Sequence, residues 1–74
     1  MDSLVGRVTI DRDRCGGRPC VRDLRIRVVD VIDLLASGMT TQEILVEHPS
    51  LEPKDILACL AYASKQLDHA VLTA

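Results

Sequence analysis

The chain has 74 residues, of which 47% are hydrophobic, and it carries a formal net charge of −2. A chain of this length forms one domain, residues 1–74, and its apolar content excludes a disordered protein. No stretch approaches the ~20 apolar residues that a membrane span requires, and no signal peptide is recognisable, so we expect a cytoplasmic protein with no membrane partner. Three cysteines are an odd number, which favours reduced thiols over a disulfide framework.

The charges are unevenly distributed along the chain. Residues 1–27 hold seven arginines and four aspartates, a balance of +3, whereas residues 28–74 hold two lysines and seven acidic residues, a balance of −5. Such asymmetry favours an interaction surface on the basic part. Arginines that merely solvate a strand and a loop explain the same pattern equally well, because a basic cluster is a weak motif by itself.

Two short apolar runs in the basic part predict a two-stranded ribbon. The first strand is predicted at Leu4–Val5 and Arg7–Ile10, where apolar and polar residues alternate in part. The second is predicted from Val21 to Val28, where apolar residues alternate with arginines. Because an isolated two-stranded ribbon is only marginally stable in water, we expect it to pack on the rest of the chain or to pair with another copy.

A segment rich in turn-forming residues lies between these runs, with the sequence Cys-Gly-Gly-Arg-Pro-Cys-Val-Arg at positions 15–22. Gly16 and Gly17 permit positive φ angles, and Pro19 fixes its own φ angle and removes a hydrogen-bond donor. We therefore predict a structural loop, shaped by Gly16, Gly17 and Pro19, that presents basic side chains.

From Val28 onward the apolar residues recur at helical spacing, which predicts a first helix that Gly38 terminates. Thr40 and Glu43 have the spacing of a capping box and predict the start of a second helix. Pro49 ends that helix, because proline cannot continue it. Residues 28–74 therefore form the helical part of the domain.

A third helix is predicted from Pro53, since proline is favoured at the first helical position. Leu57 and Ala61 widen its apolar face beyond what one small core requires, and this width predicts a homodimer. A short second helix, a tight connection and a longer third helix have the helix-turn-helix outline, which other small helical bundles share. The predicted apolar face is made of Ile56, Cys59, Leu60, Ala63 and Leu67.

These features resemble a known family. Asp11, the 15–22 segment, Arg25-Ile26, the helix end at 34–39 and the segments 43–45, 48–51 and 55–56 resemble the domain-of-unknown-function family numbered 433, over about Arg7 to Ala63. The resemblance implies a homeodomain-like helical part. Together with the residue patterns above, it predicts a mostly α fold, with an N-terminal two-stranded β-ribbon followed by a three-helix, homeodomain-like helix-turn-helix bundle. It also implies an antitoxin similar to the VapB type, encoded beside a PIN-like ribonuclease toxin.

Metal binding and catalysis have little support in the sequence. Cys15 and Cys20 have the spacing of half a zinc site, but His48, Cys59 and His69 provide no second close pair. Neither histidine is supported as the base for a nucleophilic cysteine, and a small chain has little volume for a substrate pocket. We therefore predict no metal, no cofactor and no enzymatic activity, with structural cysteines and Cys59 in the core.

The arginines are the candidate binding residues. A single tyrosine argues against base stacking on single-stranded nucleic acid, whereas arginines suit both duplex DNA and the carboxylate cluster of a PIN-like nuclease. Glu52 and Asp55 at the start of the third helix would repel phosphate, so we place binding on the ribbon and its loop. The predicted DNA- or partner-binding residues are Arg12, Arg14, Arg18, Arg22, Arg25 and Arg27.

Together, these observations predict an antitoxin that binds and inhibits a cognate PIN-like ribonuclease toxin. Repression of its own operon, through duplex operator DNA, is a further expectation. One alternative is a stand-alone DNA-binding transcriptional regulator, and a second is a protein-interaction module without a nucleic-acid role.

Overall fold

The computed structural model describes residues 4–13 and 15–72 of the chain. Within them lie two strands, β1 (Val8–Ile10) and β2 (Pro19–Val21), followed by three helices, α1 (Val28–Ala36), α2 (Thr41–Glu47) and α3 (Pro53–Leu72). The predicted fold class, a short β-ribbon followed by a three-helix part, is confirmed. No helix in the described part is both long enough and apolar enough to cross a membrane.

The ribbon is an antiparallel hairpin that packs on the helices. Val8 lies opposite Val21, Thr9 opposite Cys20, and β2 begins at Pro19, a strand position where a missing N–H group is tolerated. Cys20 and Val21 are almost completely buried. The hairpin, which would be only marginally stable by itself, is therefore stabilised by packing on the helices. Packing on the rest of the chain was one of the two expectations for it. The first strand is shorter than predicted, because residues 4–7 form a 3₁₀ turn instead.

The predicted bounds of the second strand, Val21 to Val28, are wrong. Arg22 and Arg25 have positive φ angles of 46° and 60°, which an extended strand does not allow. The amide N–H group of Val21 donates to the carbonyl oxygen of Ile26 at 2.8 Å, so the chain closes a tight turn after β2. The alternating pattern arises because Leu24 and Ile26 both pack against the core from this turn.

The helix boundaries follow the predicted signals. Beyond the end of α1, Gly38 has a φ angle of 100°, and its amide N–H group donates to the carbonyl oxygen of Leu35 at 3.0 Å. The capping box at the start of α2 is complete: the Thr40 hydroxyl accepts from the Glu43 amide at 3.2 Å, and the Glu43 carboxylate accepts from the Thr40 amide at 2.8 Å. Pro53 is the first residue of α3, as predicted.

The buried core lies where β2, α1, α2 and the first turns of α3 meet. Cys59 is fully buried, so its predicted place in the core is confirmed. The core residues are Cys20, Val21, Val28, Val31, Ile44, Leu51, Ile56, Ala58 and Cys59.

The predicted apolar face of α3 is only partly correct. Ile56 and Cys59 are buried, but the side chains of Leu57, Leu60 and Leu67 are 54%, 44% and 66% exposed. Asp55 and Ala58 are buried on the inner side of the helix as well. The buried face is therefore rotated about the helix axis from the predicted one, and the helix keeps apolar side chains on a second side.

The expectation of reduced thiols is wrong for two of the three cysteines. Cys15 and Cys20 are joined by a disulfide, and their Cα atoms are 6.6 Å apart, within the usual range. Cys59 is the free cysteine of the described chain. Because disulfides persist mainly in oxidising compartments, the cysteines no longer favour a reducing one.

The disulfide closes the loop that contains Gly16 and Gly17, whose φ angles are 64° and 80°. The predicted need for glycine is therefore supported by the backbone. Among the described residues, a Cβ atom would meet no heavy atom within 4 Å at Gly16, and at Gly17 it would meet the Cα atom of Arg12 at 3.9 Å. The penalty for alanine is thus the left-handed backbone itself and not a steric clash.

We expect Gly16→Ala or Gly17→Ala to lower the free energy of unfolding by about 1 kcal/mol, because a side chain disfavours positive φ angles. Urea denaturation measures this change. Gly6→Ala is the matched control, since Gly6 has no positive φ angle and an added Cβ atom there has open space. If both loop variants unfold at the same urea concentration as the parent, the loop is not shaped by its glycines.

Candidate functional site

The predicted binding arginines fall into separate groups. Arg14 lies outside the described residues. Arg22 and Arg27 hold carboxylates of the chain itself. The remaining three have exposed side chains that engage no carboxylate in the described chain, and these are Arg12, Arg18 and Arg25.

The centre of the internal group is Asp55, whose side chain is fully buried. Arg22 donates to it in a bidentate manner, from Nε to Oδ1 at 3.0 Å and from Nη2 to Oδ2 at 2.6 Å. Arg7 donates from Nη1 to Oδ1 at 2.9 Å and also to the carboxylate of Glu52 at 2.7 Å. The Glu52 amide N–H group donates to Oδ2 at 2.8 Å. Asp55 thus joins the two residues that flank the hairpin, Arg7 before β1 and Arg22 after β2, to the start of α3.

These contacts determine the charge state of Asp55. Burial by itself raises the pKa of a carboxyl group, and hydrogen bonds from Arg22, from the Glu52 amide and from Arg7 oppose it. The hydrogen bonds prevail and hold the pKa of Asp55 at about 2, below its ordinary value of 3.8. Asp55 is therefore an ionised, buried carboxylate at neutral pH.

Local structure places both partners of this ion pair. Asp55 is the third residue of α3, and its bond to the Glu52 amide is one half of a capping box. Arg22 is fixed through its backbone: its N–H group donates to the Arg7 carbonyl oxygen at 2.8 Å, and its own carbonyl oxygen accepts from the Thr9 hydroxyl at 2.8 Å. The left-handed φ angle of Arg22 follows from this turn and directs its side chain to α3.

The sequence prediction for these residues was therefore partly wrong. Asp55 is not an exposed charge on a recognition helix. It is buried and anchors the hairpin to α3, and Arg22 donates hydrogen bonds to it. Arg7, which the sequence did not single out, shares the role. An acidic residue two positions after Pro53 signals the cap, but no local pattern identifies the distant arginines that complete it.

Because Arg22 is committed to Asp55, we expect Arg22→Ala to lower the free energy of unfolding by about 2 kcal/mol, the scale of a hydrogen bond to a charged group. Arg7 remains to compensate part of the buried charge, which limits the loss. Thermal melting followed by circular dichroism measures it. Arg25→Ala is the matched control, because that side chain is exposed, and a melting temperature equal to the control's would contradict the assignment.

Arg27 is held in a weaker way. It makes a bidentate pair with Asp30, from Nε and Nη2 at 3.0 and 2.9 Å. The hydrogen bond from Arg27 lowers the pKa of Asp30. Both side chains are more than 40% exposed, and exposed pairs of this kind contribute little to stability. Arg27 is therefore able to exchange its partner for another carboxylate or phosphate.

The exposed arginines lie on two loops beside the hairpin. Arg12 and Arg18 belong to the loop between β1 and β2, which the disulfide and the two glycines shape. Arg25 lies in the turn after β2, where its left-handed φ angle presents it from a tight bend. A guanidinium group presents a planar fork of donors that matches carboxylates and phosphates. These loops therefore form a candidate anion-binding surface, which we call the arginine loops (Arg12, Arg18 and Arg25).

An apolar groove adjoins the arginine loops. Arg18 and Pro19 line one side, and Val28, Val29 and Ile32 of α1 line another, with α3 completing it. Val29 is 45% exposed in this groove. A charged donor next to exposed aliphatic side chains suits a protein surface more than it suits a nucleic-acid backbone.

The described residues hold neither a metal cluster nor a reactive thiol. Among residues 4–13 and 15–72, no three His, Cys, Asp or Glu side chains are grouped in a way that could hold a metal ion. Burial, together with the nearby Asp55 charge, raises the pKa of the Cys59 thiol to about 11. That thiol therefore stays protonated at neutral pH and is a poor nucleophile.

The fold and this surface define a class of small helical domains that carry an arginine-bearing β-hairpin. The model of a family of proteins of unknown function, DUF433, matches residues 8–63, and the chain belongs to that family. It is similar to the crystal structure of a DUF433 member protein from Anabaena variabilis ATCC 29413, with a TM-score of 0.78 and 26% identity, over 93% of this chain and 71% of that chain. A comparison with curated proteins finds no match.

Proposed function

We propose that this DUF433 protein is an antitoxin of the VapB type, a cytoplasmic homodimer that binds a cognate PIN-like ribonuclease and inhibits it. The observation that carries the proposal is the position of Arg18, exposed at the rim of an apolar groove and engaged with no carboxylate of residues 4–13 and 15–72. A protein ligand with a carboxylate next to apolar side chains fits both parts of this surface.

The chemistry of the proposed partner matches the arginine loops. PIN-like nucleases hold their metal ions with clustered carboxylates. A guanidinium group that binds such a carboxylate in a bidentate manner neutralises the cluster and competes with the metal ion for the same oxygens. Among the described residues, Arg12, Arg18 and Arg25 have exposed side chains that can make this contact.

Duplex DNA is the second candidate ligand, as an operator in autorepression. The same three arginines could contact phosphates, as in non-specific DNA binding. The start of α3 is a poor reader of DNA, because Glu52 is exposed there and the buried Asp55 is already surrounded by arginines. A DNA complex would therefore use the hairpin side, and it would leave the apolar groove without a function.

Inhibition of a nuclease is tested by co-expression with the product of the adjacent reading frame. We expect the parent chain to co-purify with that protein and to abolish its ribonuclease activity. The triple variant Arg12→Ala, Arg18→Ala, Arg25→Ala should raise the dissociation constant by at least ~100-fold, since each charged contact at an interface contributes on the order of 1–2 kcal/mol. Ribonuclease activity should then return.

The matched control is Lys65→Ala, which removes one positive charge from α3 outside the arginine loops. It should inhibit as the parent does, and circular dichroism should show both variants folded. Full inhibition by the triple variant would refute the assigned surface. Strong, salt-sensitive duplex binding without nuclease inhibition would favour the DNA-binding regulator, and the absence of both activities would favour a protein-interaction module.

A further inference from the structure

The disulfide between Cys15 and Cys20 closes the part of the hairpin loop that carries Arg18. The two cysteines are five positions apart, and we call the segment that they enclose, residues 15–20, the bridged loop. Arg18 and Pro19 belong to this loop and line one side of the apolar groove. The bridge therefore lies beside the candidate binding surface and constrains the arginine at its rim.

The two halves of the disulfide are held in different ways. Cys20 belongs to β2, lies opposite Thr9 and is only 1% exposed. Cys15 lies outside the strands, in a short turn, and is half-buried. The end of β2 is tied to α3 by the ion pair of Arg22 and Asp55, which does not depend on the bridge. Breaking the S–S bond would therefore leave Cys20 in place and release Cys15 with the residues that follow it.

The released side has a backbone that depends on a constraint. Cys15, Gly16 and Gly17 have φ angles of 54°, 64° and 80°, which makes three left-handed residues in succession. A residue with a Cβ atom disfavours such an angle, and a glycine without constraint adopts many other conformations. The Arg18 amide donates to the Cys15 carbonyl oxygen at 3.2 Å, and without the bridge this hydrogen bond would have to hold the turn against those preferences. Reduction is therefore expected to disorder the position of Arg18.

The fold also accommodates the reduced cysteines. The sulfur atom of Cys20 lies 3.5 Å from the carbonyl oxygen of Arg18, two positions earlier in the chain, so a Cys20 thiol would have an acceptor within reach. The third cysteine, Cys59, is fully buried in the core and is not accessible to thiol exchange. Both redox states are therefore compatible with the same hairpin and the same helical core.

We propose that the Cys15–Cys20 pair is a thiol–disulfide switch, which orders the bridged loop when oxidised and releases it when reduced. Regulation of binding by this switch rests on the proposed function, whereas the change in loop order does not. The proposed function places the chain in the cytoplasm, where disulfides are ordinarily transient or redox-sensing. An ordered Arg18 loses less conformational entropy on binding, so the oxidised chain is expected to bind its partner about tenfold more tightly.

The exchange reaction needs only a small thiol and its disulfide. A thiolate attacks Sγ of Cys15, the more accessible sulfur, forms a mixed disulfide and displaces the Cys20 thiolate, which takes up a proton. A second thiolate attacks the small-molecule sulfur of the mixed disulfide, so the Cys15 thiolate leaves and takes up a proton. Two electrons pass from the two small thiols to the protein, and the small molecules leave joined as a disulfide. Oxidation is the reverse of these steps.

Amide hydrogen exchange followed by NMR tests the switch on the parent chain without any partner. Reduction with dithiothreitol should speed the exchange of the Arg18 amide at least ~10-fold, because its hydrogen bond closes the bridged loop. The Val21 amide, which donates to the Ile26 carbonyl oxygen at 2.8 Å, is the internal reference and should keep its protection. Equal exchange of the Arg18 amide in both redox states would overturn the inference. Loss of protection at Val21 would also overturn it, because the bridge would then support the whole fold.

Two variants assign the change to the bridge. The double variant Cys15→Ser, Cys20→Ser should show the fast Arg18 exchange of the reduced parent under both oxidising and reducing conditions. Cys59→Ala is the matched control, since it removes the buried thiol and leaves the bridge, and it should respond to dithiothreitol as the parent does. A redox response that survives in the double variant, or that is lost in a folded Cys59→Ala variant, would refute the assignment.

Binding to the product of the adjacent reading frame measures the consequence for regulation. The oxidised parent should bind that protein about tenfold more tightly than the reduced parent does. The double serine variant should bind as the reduced parent does under both conditions, which separates the bridge from any cysteine of the partner. Equal, measurable affinities of the two redox states would refute regulation by the bridge. Absence of binding in both states would count against the proposed nuclease partner, and the exchange of the Arg18 amide would still decide whether the switch exists.

Discussion

Replacing Asp55 with alanine is expected to lower the free energy of unfolding by about 3–5 kcal/mol, which is a large part of the stability of a small domain. The carboxylate is fully buried, and its removal leaves the Arg7 and Arg22 guanidinium groups without their common acceptor. The Arg7 side chain is only 15% exposed, so water replaces the lost bond poorly. The amide of Glu52 loses its cap at the same time.

Thermal melting and urea denaturation of the variant measure this loss. Asp33→Ala is the matched control, because Asp33 is an exposed aspartate on α1 and its removal should change stability by less than about 0.5 kcal/mol. Asp55→Asn should fall between the two, since the amide keeps the shape and one acceptor oxygen. A melting temperature of Asp55→Ala within a few degrees of the control would mean that the ion pair is not a structural anchor.

The anchor also decides which arginines are useful probes of binding. Arg22→Ala loosens the hairpin from α3, so a loss of partner binding in that variant would mix unfolding with recognition. Arg12, Arg18 and Arg25 have no such structural duty in the described chain. The two roles of the basic part, stability and binding, are therefore carried by different arginines, although the sequence places all of them in one cluster.

The features that the sequence predicted correctly depend on nearby residues. The capping box of Thr40 and Glu43, the stop at Gly38 and the start at Pro53 each involve groups within one helical turn. Short-range hydrogen bonds and the restrictions on proline and glycine are sufficient to place them. The positive φ angles of Gly16 and Gly17 belong to the same category.

The features that the sequence did not predict depend on residues that are far apart in the chain. The bond between Arg22 and Asp55 spans 33 positions, and the bond between Arg7 and Asp55 spans 48. The rotation of the α3 face has the same origin, because apolar residues on both sides of that helix satisfy the helical period equally well. The prediction of the second strand was wrong because Arg22 and Arg25 adopt left-handed backbone φ angles. Side chains disfavour these angles, but the turn after β2 requires them.

Acid is expected to remove the contribution of Asp55 to stability. The pKa of the Asp55 carboxyl is about 2 in the folded chain, whereas its ordinary value, without these contacts, is 3.8. The ionised form therefore stabilises the fold above about pH 4. As the pH falls through the interval from 3.8 to about 2, the folded state must accept a proton that the unfolded state binds more readily. The difference of nearly two units corresponds to about 2 kcal/mol of stability, which is complete above this interval and absent below it.

Urea denaturation at a series of pH values measures this loss, and a carbon-detected NMR titration of the Asp55 carboxyl measures its pKa directly. The pKa of Asp30 is lowered as well, by the hydrogen bond from Arg27, so Asp30→Asn is the control that should keep most of the acid dependence. The exposed ion pair of Arg27 and Asp30 contributes little to stability. The buried Asp55 carboxylate, in contrast, binds two arginines and caps the start of α3. A titration of Asp55 near 3.8 would contradict the anchor, because a carboxylate held by three donors cannot bind a proton as readily as a free one.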